Sequence, residues 1–121
     1  MRGRRHYLDY LRDMLAAARD AMDFARDVTF QELLEDRQKQ YAIVRAVEII
    51  GEAARNIPQP VRRRFPDVPW VDIVATRNKV IHEYFGVNLE VVWATVRRDL
   101  PALVPALERM IAEVEREERG G

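Results

Sequence analysis

The stretch LDYLRDMLAAARDAMDFA, residues 8–25, decides the class of fold. Its apolar residues recur at intervals of three and four, and Arg-Asp pairs occupy positions between them. This spacing places the apolar side chains in one stripe along a helix of about 3.6 residues per turn. The stripe comprises Leu8, Leu11, Leu15, Ala18, Met22 and Ala25. We therefore predict a long first helix that buries one face against the rest of the protein.

The same spacing predicts a second long helix, which ends before Pro58. Small side chains at Gly51, Ala53 and Ala54 would let another helix approach this one closely. Its apolar stripe comprises Ile43, Val47, Ile50, Ala54 and Ile57.

The third and fourth helices are marked by their capping residues. Asp67 can cap the third helix with Pro69 in its first turn, and Gly86 is suited to end it. Asn88 can cap the fourth helix, in which Pro101 forces a kink or a restart. The apolar stripe of the fourth helix comprises Leu89, Val92, Trp93, Val96 and Leu100, and continues with Leu103, Leu107, Met110, Ile111 and Val114.

The connections between these helices carry signals of their own. Thr29 and Glu32 have the spacing of a capping box, which predicts a short helical turn. Residues 57–70 hold four prolines and three consecutive arginines, so we expect at most one helical turn there. No strand-like alternation is visible. We predict an all-α fold, a four-helix up-and-down bundle with a short extra helical turn and a kinked C-terminal helix, in a single domain over residues 1–121.

Composition narrows the classes of function. Lys and Arg number 20 and so do Asp and Glu, so nucleic acid would have to bind a local patch or a surface formed by a dimer. The absence of Cys rules out disulfides and a cysteine nucleophile. No apolar run is long enough to span a membrane, and the start MRGRRHYLDY lacks the apolar segment of a signal peptide. We expect a cytoplasmic protein with no membrane partner.

The segment RNKVIHEYFG, residues 77–86, is the candidate site. At about 100° per residue Tyr84 lies nearly above Arg77, and His82 lies nearly above Asn78. One straight helix therefore does not direct Arg77 and His82 at one small substrate. Twofold packing of this helix in a homodimer would bring both pairs into one cleft.

Such a cleft suits RNA cleavage without a metal. One His82 would take the proton from the 2′-hydroxyl, and the other would protonate the leaving 5′-oxygen. Arg77 would stabilise the negative charge of the phosphorane, and Asn78 would orient the imidazole or the substrate. A metal site is the weaker alternative because His82 and scattered acids such as Glu83 lack clustered ligand spacing. The residues alone also allow a polar helix face with a buried tyrosine.

The segment RNKVIHEY matches the Arg-x4-His-x-Tyr signature of the HEPN superfamily. The chain resembles its HepT-like branch, the toxin half of a toxin-antitoxin pair. IIGEAARNIP, VPWVDIVATRNKVIHEYFGVN and VVWATVRRDLPAL also resemble characteristic segments of that branch, in the same order and at similar spacing. The resemblance therefore covers essentially the whole chain.

The resemblance implies a HEPN-type helical bundle and a homodimer with the motif at its interface. It implies metal-independent endoribonuclease activity against tRNA or mRNA, with no cofactor, in a type VII toxin-antitoxin system. Arg77 and His82 match the catalytic positions, and Asn78 takes the polar place after the arginine. The implied partner is an ATP-using nucleotidyltransferase antitoxin that transfers AMP onto the motif tyrosine, here Tyr84.

Two other functions stay open from the sequence. One is a non-catalytic adaptor that docks a nucleotidyltransferase and binds nucleotide through the motif. The other is a structural helical dimer with Tyr84 and Ile81 in its interface. Glu52 is left outside the predicted site because an exposed helical glutamate is common. Arg62–Arg64 are either a solvated charge run or an RNA-backbone rim, and Trp70 and Trp93 are expected to be packing residues.

Overall fold

The structure is a computed structural model that describes residues 6–81 and 88–120, and all regular elements in these residues are helical. The elements are α1 (Tyr7–Phe24), α2 (Phe30–Leu34), α3 (Arg37–Arg55), α4 (Gln59–Arg64), α5 (Trp70–Ile81), α6 (Leu89–Ala94), a π-helical turn (Thr95–Asp99) and α7 (Leu100–Gly120). The predicted all-α fold is therefore confirmed. Two short helices, α2 and α4, accompany the long ones.

The long helices pack as a bundle in which α1 contacts both α3 and α7, and α3 also contacts α5. Helices α1 and α7 run antiparallel, because the N-terminal residue Arg12 pairs with Glu115 and the later residue Arg19 pairs with Glu108. The predicted stripe of α3 is buried throughout. In α1 the buried stripe is wider and includes Met14, whereas Leu15 is only half-buried. The reason is that α1 lies between two long helices and contacts them with both sides of its apolar face.

The predicted cap of the third long helix was wrong. The helix begins at Trp70, and the carbonyl of Pro69 accepts the first helical hydrogen bond, from the N–H of Ile73 at 3.0 Å. The Trp70 N–H donates to the Val68 carbonyl at 2.9 Å, so a tight turn separates Asp67 from the helix. The Asp67 carboxylate instead pairs with Arg109 of α7 at 3.2 Å.

The connection between α3 and α5 is more ordered than the prediction of at most one turn. Helix α4 is six residues long and begins after Pro58. Arg62 ties it to the end of α3: its Nε donates to the Ile57 carbonyl and its Nη2 to the Ala54 carbonyl, both at 2.9 Å. Trp70 donates its indole N–H to the Phe65 carbonyl at 3.1 Å and is almost fully buried. Two side chains thus hold a proline-rich connection in one conformation.

The irregularity predicted near Pro101 takes the form of the π-helical turn. The Leu100 N–H donates to the Thr95 carbonyl, five residues earlier, and the chain stays helical from Leu89 to Gly120. Pro101 follows at once and has no N–H to donate. No helix among the described residues is long and apolar enough to cross a membrane. That residues 1–121 form a single domain stays a prediction.

Candidate functional site

The stem of Arg77 packs directly against the backbone of Gly51. A Cβ atom added to residue 51 would lie 2.1 Å from Arg77 Cβ and 2.5 Å from Arg77 Cγ. Both distances are far below an ordinary van der Waals contact, so a side chain at residue 51 and Arg77 in its present position are incompatible. The close approach that small residues predicted for α3 is confirmed at this point. Gly51 therefore determines where α5 presents Arg77.

The guanidinium of Arg77 is mostly buried and incompletely paired. Its side chain is 17% exposed. Nη1 donates to Asn78 Oδ1 at 3.2 Å, and Nη2 lies 3.8 Å from Glu52 Oε2. Nε is fully buried, and within residues 6–81 and 88–120 it has no hydrogen-bond acceptor. Buried N–H groups nearly always have a partner, so this donor marks a place where a further acceptor is needed.

Glu52 connects Arg77 to a second arginine. The same carboxylate oxygen, Oε2, lies 3.3 Å from Nη1 of Arg45. Arg45 also approaches Glu48, which lies one turn before Glu52 on α3, at a distance of 3.5 Å. Charged side chains thus run across α3 towards α5 in the order Arg45, Glu52, Arg77. Two carboxylates balance the two arginines here, and Arg77 has the weaker share of Glu52 because Arg45 lies closer to the same oxygen.

The predicted site residues have different outcomes. Arg77 is on α5, with its stem against Gly51. Asn78 accepts a hydrogen bond from Arg77, and the sequence did not suggest this pairing. The predicted role of Asn78 towards the imidazole or the substrate stays a prediction. His82 and Tyr84 lie outside the described residues. The structure therefore neither joins them to Arg77 nor separates them from it.

Sequence reasoning missed Glu52 as a neighbour of Arg77. The signal was available in the pair Gly51-Glu52: a glycine on the face expected to contact another helix, followed by an acid on its flank. A helix that approaches at the glycine brings its own side chains past the next residue as well. Glu52 was set aside because its type is common on exposed helix surfaces. In the structure its side chain is 39% exposed, so it is only partly at the surface.

The other basic and aromatic candidates have structural partners. Of the three consecutive arginines, Arg62 caps α3 as described, Arg64 pairs with Glu117, and Arg63 is exposed. Arg64 donates a hydrogen bond to the Glu117 carboxylate, and this bond raises the pKa of the Arg64 guanidinium above its usual value. His6 has a structural role as well, because its Nδ1 accepts from the Leu8 N–H at 3.0 Å and caps α1. Arg62 thus has a structural role that was not predicted, whereas Arg63 and Arg64 are exposed, as in a solvated charge run.

A cavity of about 310 Å³ lies between α3, α5 and the π-helical turn. Its wall is aliphatic, with Ile50, Ile73 and Leu103, and its rim carries Asp72 and Asp99. The lining also includes Arg98, so acidic and basic side chains are mixed around this cavity. Within residues 6–81 and 88–120, no three His, Asp or Glu side chains are grouped closely enough to hold a metal ion.

Comparison with protein families matches residues 14–110 to the family described as "Ribonuclease HepT-like". The chain belongs to the HepT-like family. The match spans α1 to α7 and includes Gly51, Glu52 and Arg77. The resemblance drawn from the motif is thereby confirmed at the level of the family.

Curated relatives of this HepT-like chain agree with that membership. It is 41% identical over 107 residues to a protein of Thermococcus cleftensis named "Probable ribonuclease HepT", covering 88% of this chain and 97% of the relative. It is 38% identical over 109 residues to "Putative RNase MJ0127" of Methanocaldococcus jannaschii, covering 90% of each chain. A protein of Caldanaerobacter subterraneus, "Putative RNase TTE0752", is 34% identical over 110 residues, covering 91% of this chain and 95% of the relative. No solved structure matches the chain.

Proposed function

We propose that this HepT-like chain is a metal-independent endoribonuclease that acts on cellular RNA, tRNA or mRNA. The observation that carries the proposal is the state of Arg77. Its stem is fixed by Gly51, its side chain as a whole is 17% exposed, and its buried Nε lacks an acceptor among the described residues. A fixed guanidinium with unused donors suits an oxyanion of phosphate. Membership in the HepT-like ribonuclease family supports RNA as the source of that phosphate.

The reaction is a transfer of the phosphate within the RNA strand. One His82 of a homodimer removes the 2′-hydroxyl proton, and the 2′-oxygen attacks the adjacent phosphorus. The bond from phosphorus to the 5′-oxygen breaks, and the partner subunit's His82 supplies the proton to that leaving oxygen. Arg77 neutralises the charge that develops on the phosphate oxygens. The products are a 2′,3′-cyclic phosphate and a free 5′-hydroxyl, with no metal or cofactor taking part.

The same chain is proposed to be the cytoplasmic toxin of a type VII toxin-antitoxin pair. A nucleotidyltransferase antitoxin would transfer AMP from ATP onto the hydroxyl of Tyr84 and release pyrophosphate. The sequence interval supports this role, because Tyr84 falls about two turns after Arg77 on nearly the same side of the predicted helix. The added phosphate would compete with RNA for Arg77 and repel the RNA backbone.

The experiment is cleavage of total RNA and of purified tRNA by unmodified protein in EDTA. The parent is compared with Arg77→Ala, His82→Ala and Arg63→Ala, and product ends are identified by mass spectrometry. We expect the parent and Arg63→Ala to leave cyclic phosphates, because Arg63 is exposed in α4, whereas the other two variants leave RNA intact. Products that need a divalent metal or retain a 3′-hydroxyl would contradict this mechanism.

The alternative is a non-catalytic adaptor whose motif binds nucleotide for a nucleotidyltransferase. The unused donor of Arg77 would equally serve the phosphate of a bound nucleotide. Intact RNA from folded protein with unmodified Tyr84, together with stabilisation by AMP or ATP, would favour this function over cleavage. A mass increase of one AMP on Tyr84, with ATP and the nucleotidyltransferase present, tests the antitoxin step separately.

A further inference from the structure

We propose that Glu52 is a positioning residue for Arg77, and this inference rests on the proposed phosphate chemistry at Arg77. Glu52 is on α3, one residue after the glycine that receives the Arg77 stem. Two consecutive residues of α3 thus act on two parts of one side chain. Gly51 fixes the stem, and Glu52 orients the guanidinium.

The distance between the charges determines what Glu52 can do. Glu52 Oε2 and Arg77 Nη2 are 3.8 Å apart, longer than a hydrogen bond but close enough for strong electrostatic attraction. A tight bidentate pair would occupy the donors of Arg77 and compete with phosphate. At the observed distance the Glu52 carboxylate orients the guanidinium without occupying the N–H donors of Arg77. Asn78 Oδ1 adds a second restraint on Nη1.

Arg45 limits the strength of this restraint. It approaches the same Glu52 oxygen at 3.3 Å, closer than Arg77 does. The carboxylate therefore keeps a cationic partner when Arg77 turns towards a phosphate. This arrangement lowers the cost of sharing Arg77 between Glu52 and the substrate, because Arg45 keeps the carboxylate paired.

These charges predict a specific kinetic signature. Glu52 carries negative charge near the expected RNA backbone and so weakens binding of the substrate before reaction. Its benefit is the orientation of Arg77 for the transition state. We expect Glu52→Gln to lower kcat about tenfold or more while KM stays unchanged or falls. Loss of a residue that binds phosphate directly would instead raise KM.

The chain offers a matched control in Glu48→Gln. Glu48 is on the same helix and also approaches Arg45, at 3.5 Å. It lies one turn before Glu52 and is therefore further from Arg77 along α3. Both substitutions remove one negative charge next to Arg45. We expect Glu48→Gln to keep the parental kcat. A general effect of charge or of Arg45 would lower kcat equally in both variants and overturn the assignment.

A second readout does not depend on RNA cleavage. The buried Arg77 Nε–H gives a ¹⁵N-¹H signal, assigned by its loss in Arg77→Lys, whose shift and solvent exchange report the orientation of the guanidinium. We expect Glu52→Gln to move this signal and to speed its exchange, and Glu48→Gln to leave it in place. Glu52→Asp withdraws the carboxylate by one methylene and should give a signal shift and an exchange rate between those of the parent and Glu52→Gln. This variant keeps the test available if Glu52→Gln folds poorly.

The two readouts separate failure of this inference from failure of the proposed function. If the parent leaves RNA intact, the ribonuclease proposal fails, and the Arg77 signal still decides whether Glu52 orients the guanidinium. If the parent cleaves RNA and Glu52→Gln retains both its kcat and the parental Arg77 signal, Glu52 has no positioning role. A moved signal together with lower kcat at unchanged KM supports the role as stated.

Discussion

Replacing Gly51 with alanine tests the packing that presents Arg77. The new Cβ would lie 2.1 Å from Arg77 Cβ, whereas ordinary contact begins at 3.4 Å, so about 1.3 Å of separation must be gained. Arg77 Cβ is bonded to the backbone and cannot rotate away, so α5 must move relative to α3. Forced movement of this kind costs up to about 3 kcal/mol. Alanine returns about 1 kcal/mol through its higher helix propensity.

The expected net destabilisation is therefore about 2 kcal/mol, which in a chain of this length corresponds to a Tm lower by about 8 °C. The effect on chemistry should be larger than the effect on stability. A displacement of about 1 Å at a group that stabilises the transition state lowers the rate about 100-fold. The assay is RNA cleavage at 25 °C, where the variant is folded, beside thermal unfolding followed by circular dichroism.

The matched control is Gly120→Ala, the same chemical change at the end of α7. A Cβ at residue 120 would have no atom within 4 Å, so Tm and cleavage should equal those of the parent. Adding Arg77→Ala does not relieve the Gly51→Ala clash, because alanine keeps the Cβ that is 2.1 Å away. A Gly51→Ala protein with parental Tm and parental cleavage would refute the reasoning, since it would show that α3 and α5 are not in this contact.

Further substitutions test the elements around the site. Arg62→Ala removes the hydrogen bonds to the Ala54 and Ile57 carbonyls and should lower the free energy of unfolding, measured by urea titration, by about 1–3 kcal/mol. Arg63→Ala replaces an exposed side chain and should be neutral. Equal urea midpoints for the two variants would contradict the capping role of Arg62. Thr29→Ala removes the side-chain cap of α2 and should cost about 1 kcal/mol by the same titration, and an unchanged midpoint would mean that the cap contributes nothing. Val71→Ser replaces a side chain that is 80% exposed and should leave Tm within about 2 °C, unless this residue is buried in a dimer.

The sequence predicted the elements best where one helix carries a long apolar stripe. Every stripe residue predicted for the second long helix is buried, because a period of three and four residues over about four turns has one interpretation. Capping was less predictable. Asp67 has the right chemistry for a cap, but the tight turn at Val68 and the pairing with Arg109 of α7 determine its position. Neither contact is visible from residues close in sequence.

The candidate site could likewise be predicted within one helix but not across two. Arg77 was found from a short motif whose spacing lies within one helix. Its relation to Gly51 and Glu52 depends on how two helices cross, because Glu52 and Arg77 are 25 positions apart in the sequence (77 − 52). The glycine indicated a close approach without naming the residue that fills it. To predict which side chains meet where two helices cross, the geometry of the crossing must be known, and the periodicity of apolar residues does not give it.

The π-helical turn gives the C-terminal arm an uneven response to changes in chain length. Between Thr95 and Asp99 each hydrogen bond spans five residues, so this segment already holds about one residue more than an α-helix would use. Deleting one residue there can restore ordinary helical bonding without breaking the rod. The same deletion leaves Val92 on the core side, because it would then lie seven residues, nearly two α-helical turns, before the buried Leu100. One residue fewer is therefore tolerated within the π-helical turn, whereas a deletion within α7 would turn the two ends of this arm by about 100° relative to each other.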